Sequence, residues 1–553
     1  MNTEAGFPPG SAPFETHEVT NQTPCLTDYN LFDSDRALVS AVTREGAEWA
    51  LPSLTEFGRQ LGSTETIELG RLANAYPPVL RSFDRSGRRL DEVEFHPAYH
   101  QLMALAIGQG LHTGPWAEPR PGAHVARAAG VILLCQIEAG VQCPVTMTYG
   151  AVPTLARHAD LARDWLPKLF SRRYDARLRP IAEKHGAMMG MGMTEKQGGS
   201  DLRSNTSRAQ PIGGGAHEIT GHKWFFSAPM CDAFLILAQA PGGLSCFFLP
   251  RCLPDGTRNA IHIQRLKDKL GNKSNASSEV EFHGATAWLV GEEGRGVPTI
   301  IEMGNYTRLD CALGSAGLLR QAVAQAAHHA AWRSAFQKKL IDQPLMTNVV
   351  ADLAVESEAA TALVMRLARA FDCQDDPAET AFRRLITPAA KFWVCKRGPF
   401  AVAEAMEVLG GNGYVEEGVL ARLYREIPLN SIWEGSGNIM CLDVLRATAK
   451  SPATLDTLFA ELAAAAGADR RLDGYVAALK SRLAAGPSES QARRLVEAMI
   501  LALQGALLVR HGDPAVADAF CASRLDGDHG GSFGTLPPSA DLRGIAERAR
   551  PAI

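Results

Sequence analysis

The chain has 553 residues, which at roughly 150 residues per domain predicts three to four domains. Hydrophobic residues make up 46% and charged residues 21%, with a net charge of -4, which excludes a histone-like basic protein and a chain disordered throughout. A chain of this size buries a large core without disulfide staples.

Residues 1–34 read as an N-terminal arm, rich in Pro, Gly, Ser and Thr at its start and lacking the basic and apolar regions of a secretory signal. Residues 35–189 follow a helical period, and VARAAGVILLCQIEAGVQ (125–142) is apolar all round, as a buried helix would be. Over 190–291 the period changes. Short runs rich in aromatic and β-branched residues (HEITGHKWFF, AFLILAQA, LSCFFLP, IHIQRL, SSEVEFHGATAWLV) alternate with PIGGGA, PGG, LPDG and GNKSN, the pattern of a small antiparallel β domain. Residues 292–447 return to long helices rich in Ala and Leu. A linker, TAKSPATL (448–455), introduces a last helical module, 448–553, in which Leu495, Met499, Leu503 and Leu507 recur on one face. Its longest apolar run, 498–509, is too short to cross a bilayer and contains Gln504, so no membrane partner is expected. The eleven cysteines occur singly, with no C-x-x-C pair, so neither a zinc site nor any other metal centre is expected. Buried, reduced thiols fit them better, which points to a cytoplasmic location.

Three stretches carry candidate chemistry. In MGMTEKQGGSDLRSNT (191–206) two adjacent glycines let backbone approach a ligand while Thr194 and Ser200 offer hydroxyls. GHKWFFSAP (221–229) places Trp224, Phe225, Phe226 and Ser227 at a strand end. In LYREIPLNSIWEGSGNIMCLDVLR (423–446), Glu434 stands between Ile432–Trp433 and the small Gly435–Ser436–Gly437. A carboxylate there is poorly hydrated, which raises its pKa and makes it a better base. Each stretch alone also fits a plain structural role: a capped turn, a piece of core, a helix start with Ser436 and Asn438 as caps.

Together, in this order, they resemble the acyl-CoA dehydrogenase family of flavoenzymes. Its T-E-x-x-x-G-S-D loop is matched by Thr194–Asp201, and its G-x-K-x-W-I-T segment by Gly221–Ser227. A K-x-G segment follows in KLGNKSNASSEVEF (269–282), then R-x-x-F-G in Arg333–Gln337 and G-G-x-G in Gly410–Gly413. R-D and I-Y-E-G-T are matched by Arg425–Glu426 and Ile432–Ser436. GMGMTEKQGGSD, KWFFS, LGNKSNASSEVEF, PAAKF with VCKRG, and NSIWEGSGNIMCLDVLR look like the alkylation-response branch, whose members carry an extra helical C-terminal domain.

The resemblance implies an α+β, acyl-CoA dehydrogenase-like fold: an N-terminal helical domain, a middle antiparallel β domain, a second helical bundle and an additional C-terminal helical domain. It implies FAD between the β domain and the second bundle, contacted by Met191, Gly192, Met193, Thr194, Gly199, Ser200, Phe225, Phe226, Ser227, Ile432 and Trp433. Ser436 and Asn438 would meet its phosphates or adenosine, and Arg333 and Phe336 would reach the flavin of a neighbouring subunit in a homotetramer. Glu434 would be the base acting on an acyl-CoA, with weak, isovaleryl-CoA-like activity. Gln337, Glu407 and the bulky Phe225–Phe226 pair depart from the family pattern. The branch also implies non-specific binding of double-stranded DNA. From Arg446 to Arg494 eight basic residues face five acidic ones, a balance of +3, and Arg446, Lys450, Arg470, Arg471, Arg493 and Arg494 are the candidate phosphate contacts. The competing expectations are an ordinary metabolic short- or branched-chain acyl-CoA dehydrogenase whose tail serves assembly only, and a binding protein whose flavin is structural.

Overall fold

A computed structural model describes residues 16–552. Residues 1–15 of the expected arm lie outside the described residues. The rest of that arm is corrected by the structure: Leu26, Tyr29, Leu31 and Phe32 are buried, and the Tyr29 hydroxyl donates to Gln321 Oε1 at 2.9 Å. The apolar side chains of CLTDYNLF outweigh the polar composition around them, and the segment is part of the core.

The N-terminal domain is helical, centred on α1 (Ala123–Ile137) and α2 (Gln142–Ala156). Both are buried on nearly every side, as the apolar sequence predicts. A hairpin, β1 (Val79–Phe83) and β2 (Arg89–Glu94), interrupts the helices. Asp84 closes its turn by accepting from the Ser86 and Arg88 amides at 2.7 and 2.9 Å.

The middle domain contains β3 (Met189–Gly192), β4 (Arg208–Gly213), β5 (Ala216–Ser227), β6 (Ala233–Ala240), β7 (Gly243–Pro250), β8 (Ile261–Leu266) and β9 (Ser277–Val290). Pairing runs β6–β7–β9–β5–β4 and returns to β6, so the sheet closes into a barrel; β3 lies on β6 and β8 on β9. Two pairings depart from the antiparallel expectation: β3 and β4 each run parallel to β6. The β5–β9 register slips by one residue between Lys223 and Phe226. That bulge decides which aromatic faces the site.

The second bundle is built from α3 (Gly296–Trp332), α4 (Pro344–Asp372), α5 (Pro377–Val408) and α6 (Gly437–Lys450). The C-terminal module adds α7 (Ala453–Ala463), α8 (Arg470–Ala484), α9 (Ala492–His511) and α10 (Leu542–Ala549). The expected linker shrinks to a break at Ser451–Pro452, because α6 runs on to Lys450. Leu495, Met499, Leu503 and Leu507 are all buried, and Arg366–Glu461 and Arg548–Glu358, both 2.8 Å, tie the module to α4. Every cysteine is unpaired, and eight of the eleven are buried. Among the described residues no helix is long and apolar enough to cross a membrane.

Candidate active site

Glu434 sits in the middle of an irregular segment between the 3-10 turn Ile427–Ser431 and α6. Its backbone is left-handed, φ +59°, and Gly435 follows at φ +105°. A non-glycine residue held there costs on the order of 1–3 kcal/mol and persists only where surrounding contacts impose it. Several do. Lys391 Nζ donates to the Gly435 carbonyl at 2.7 Å and Arg308 Nε to the Glu434 carbonyl at 3.1 Å. Arg308 and Arg384 both grip Asp443, at 3.0 and 2.7 Å. The Trp433 indole donates to Asn430 Oδ1 at 2.9 Å, fixing the ring beside the loop.

The Glu434 carboxyl is partly buried and accepts a hydrogen bond from Thr307 Oγ1 at 2.6 Å. Burial pushes its pKa up; the Thr307 hydroxyl and the charges of Arg308 and Lys391 pull the other way without cancelling it. Its charge also reaches Cys143 at the start of α2, whose thiol lies beside Ser227 and Asn275 and is pushed up to about 12 by burial. Three domains therefore meet around one carboxyl. Lys391 is the Lys of the PAAKF segment, although its role at the loop is not marked there; Thr307, Arg308 and Cys143 carry no motif.

On the barrel side, the loop after β3 doubles back so tightly that a Cβ on Gly199 would lie 2.5 Å from Thr194 Oγ1. Glu195 anchors it: wholly buried, it pairs with buried Lys223 at 2.7 Å and accepts from the Thr206 and Ser207 amides. Burial lowers the Lys223 pKa to about 8, while Lys223 and the amides hold Glu195 at about 2 despite its own burial. Met193, Thr194 and Gly199–Ser200 remain at least partly accessible.

Two expected contacts are corrected. The bulge in β5 turns both Trp224 and Phe225 outward and Phe226 inward, where its ring packs 4.3 Å from Phe234. Phe225 is 53% exposed and Phe226 fully buried. Of the two phenylalanines, only Phe225 has an accessible ring. Met191 likewise points into the core, beside the buried Gly192. Ser227 is partly accessible, Ile432 exposed and Trp433 partly buried.

Arg333 and Phe336 lie beyond the far end of α3, about 39 Å along its axis from Thr307. Phe336, 92% exposed, and Gln337 form a hairpin tip with φ of +50° and +65°. The basic candidates differ in the partners they hold. Arg446, Lys450, Arg470, Arg493 and Arg494 are exposed. Arg471 is committed to Asp469 and Asp518, at 2.6 and 2.8 Å, which removes it as a free phosphate contact. Arg493 turns to Asn438, donating from Nε at 2.9 Å.

Residues 21–176 match the adaptive response protein AidB N-terminal domain, 190–285 the acyl-CoA dehydrogenase middle domain, and 294–449 the acyl-CoA dehydrogenase C-terminal domain. The acyl-CoA dehydrogenase-family protein AidB of Escherichia coli is 52% identical over 93% of this chain and 95% of its own. The chain belongs to the AidB branch of the acyl-CoA dehydrogenase family. The crystal structure of Caenorhabditis elegans ACDH-11 in complex with C11-CoA superimposes with a TM-score of 0.83 at 27% identity, covering 92% of this chain and 94% of that one. A Bacillus anthracis acyl-CoA dehydrogenase complexed with FAD shares the fold, with a TM-score of 0.66 at 18% identity over 82% and 89% of the two chains.

The AidB-type chain is an FAD-dependent oxidoreductase. Its residues fit that cofactor: the Gly199 cradle leaves room only for backbone, the Ser436 side chain caps no helix amide, and Thr194, Ser200 and Asn438 are polar and at least partly accessible.

Proposed function

We propose that this protein slowly α,β-dehydrogenates acyl-CoA thioesters, with isovaleryl-CoA-like substrates among them, and that it binds duplex DNA as part of the response to alkylation damage. The observation that carries the catalytic half is the Glu434 carboxyl, raised by burial and held by one hydroxyl where the barrel and both helical domains meet. FAD held at this junction would supply the acceptor for a hydride from the substrate Cβ. Glu434 takes the α-proton, Thr307 orients its carboxyl, and the accessible Ser227 and Phe225 would help hold the flavin. The C11-CoA in the worm relative supports an acyl-CoA thioester as the substrate class. The departures at Gln337 and Glu407 support low turnover. Anaerobic titration of holoprotein with a panel of acyl-CoA esters, followed at the flavin absorbance band, is expected to show slow bleaching with at least one ester. No bleaching with any of them would leave the flavin structural.

The 52% identity to AidB and the adaptive-response domain support the DNA half, as do five exposed basic residues, Arg446, Lys450, Arg470, Arg493 and Arg494. A homotetramer would multiply these faces, and the distance of Arg333 and Phe336 from Glu434 in one chain supports their use on a neighbour's flavin. The logarithm of the binding constant should fall linearly with log salt, with little sequence preference. Reversing Arg446 and Arg494 together should flatten that slope in fluorescence anisotropy on a labelled duplex. An unchanged slope would place the contact elsewhere. No binding by the wild type at low salt would favour the metabolic reading, which the module's ion pairs to α4 also suit.

A further inference from the structure

Ten aspartate and glutamate side chains are buried among the described residues, and eight of them form ion pairs with lysine or arginine. The two that do not, Glu138 and Glu426, grip the same short barrel loop from opposite domains. Glu138 closes α1 of the N-terminal domain, and Glu426 ends the helix Val419–Glu426 of the second bundle. Glu426 accepts from the Asn272 amide at 2.5 Å and from Asn272 Nδ2 at 2.8 Å. Glu138 accepts from Ser274 Oγ at 2.6 Å, the Val141 amide at 2.8 Å and Asn74 Nδ2 at 3.0 Å. The loop is pressed against both domains. A Cβ on Gly271 would lie 2.3 Å from the Arg425 carbonyl oxygen, and one on Gly140 would lie 1.9 Å from Ser274 Oγ.

The surrounding charges do not neutralise the two carboxyls. Lys269 Nζ is engaged by the Asn275 carbonyl at 2.6 Å, and Arg422 Nη2 by the Ile137 carbonyl at 2.9 Å. Arg425 and Arg71 pair with Glu416 and Glu68, and Asp268 offsets part of the Lys269 charge. Burial keeps the neighbouring Cys135 thiol protonated. Ionising both carboxyls therefore costs desolvation as well as mutual repulsion. Burial, and then the charge of Glu138, push Glu426 up to about 7 against the pull of Asn272 and Lys269.

We infer that Glu426 and Glu138 hold one proton between them, and that this proton latches loop 270–276 onto the two helical domains beside the flavin site. The loop carries Asn275, whose buried side chain lies with Ser227 against the Cys143 thiol. It then enters β9 at Ser277, directly opposite Ser227. Glu426 is thus a positioning residue that acts on the flavin pocket through the loop. Closure raises its pKa above the value in an opened loop, so the closed state is favoured at low pH and weakens as pH rises through about 7.

The test reads loop and flavin separately in holoprotein from pH 6 to pH 8.5. Amide hydrogen exchange of 270–276, normalised to β6, should rise about tenfold for one group titrating over that range. FAD release on dilution, followed by recovered flavin fluorescence, should accelerate in parallel. In Glu426→Gln, whose amide copies the protonated acid, both should be slow and flat. Glu138→Gln removes the repulsion and should also flatten the rise, which keeps the test decisive if the first variant does not fold. Loop exchange that ignores pH in the wild type overturns the inference. So does a rise of wild-type steepness in the folded variants, which would assign it to another group, such as Lys223 at about 8. Faster exchange without faster FAD release would overturn the link to the flavin, whatever the loop does.

Discussion

Glu434→Gln is expected to keep FAD and to slow flavin reduction by acyl-CoA by roughly 10²- to 10⁴-fold, the usual worth of a positioned general base. Gln is nearly isosteric, its amide oxygen can still accept from Thr307, and the Lys391 and Arg308 contacts that impose the loop's backbone are made to carbonyls rather than to the carboxyl. Only the proton acceptor is lost. The sign of the pH dependence follows from the direction of the pKa. The base works deprotonated and burial raises its pKa, so the wild-type rate should climb as pH rises through the raised value and level off above it. The residual rate of the Gln variant should be flat. Thr307→Val removes the bond that favours the carboxylate, moving the wild-type profile to higher pH by about 0.7 unit for a bond worth ~1 kcal/mol. Anaerobic stopped-flow bleaching of the flavin band across pH measures all three. A Gln variant as fast as wild type would mean that another group takes the proton.

The sequence is most readable where burial imposes a period. The barrel strands announce themselves through aromatic and β-branched runs such as AFLILAQA, and α9 through its four-residue stripe, because each buries a continuous face. The β1–β2 hairpin lies largely on the surface, where nothing forces alternation, so its strands leave no apolar pattern. The segment around Leu26–Phe32 fails the other way: its few apolar residues are buried by contacts with helices far along the chain. At the site, the motifs mark backbone that must bend around a ligand, as Gly199 and Gly435 do. They do not mark the side chains that hold it. Thr307 is an ordinary polar position on a long helix, and Lys391 shows only as part of PAAKF, until α3 and α5 bring them to the Glu434 loop. Strand periodicity alone puts Trp224 and Phe226 on the same face of β5; the bulge separates them. Counting charge from Arg446 to Arg494 finds an excess of basic residues but is blind to their partners, and so counts Arg471, paired with Asp469 and Asp518, like the rest.

Asp310→Ala is expected to cost about 3–5 kcal/mol of stability, the range for breaking a buried ion pair from one side. Arg127 and Asp310 are each 2% exposed, joined by two parallel bonds of 2.7 and 2.6 Å between α1 and α3. Gln142 adds a third bond to the carboxylate at 2.8 Å. Without Asp310, the guanidinium keeps only the Leu111 carbonyl and the face of Tyr149, and an arginine cannot shed its proton to escape the cost. The Glu195–Lys223 pair inside the barrel is the instructive contrast. It is even more deeply buried, but burial already lowers Lys223 to about 8. In Glu195→Gln the amine can become neutral and keep its bond to the Leu237 carbonyl. That variant should therefore lose less stability than Asp310→Ala at pH 8, and its deficit should shrink as pH rises. Replacing Arg127 by Met and Asp310 by Leu together should recover most of the loss, because no buried charge is then left alone. Urea unfolding of the three variants at pH 7 and pH 8 separates these cases; equal losses for Asp310→Ala and Glu195→Gln at both pH values would show that proton release from Lys223 does not relieve the barrel.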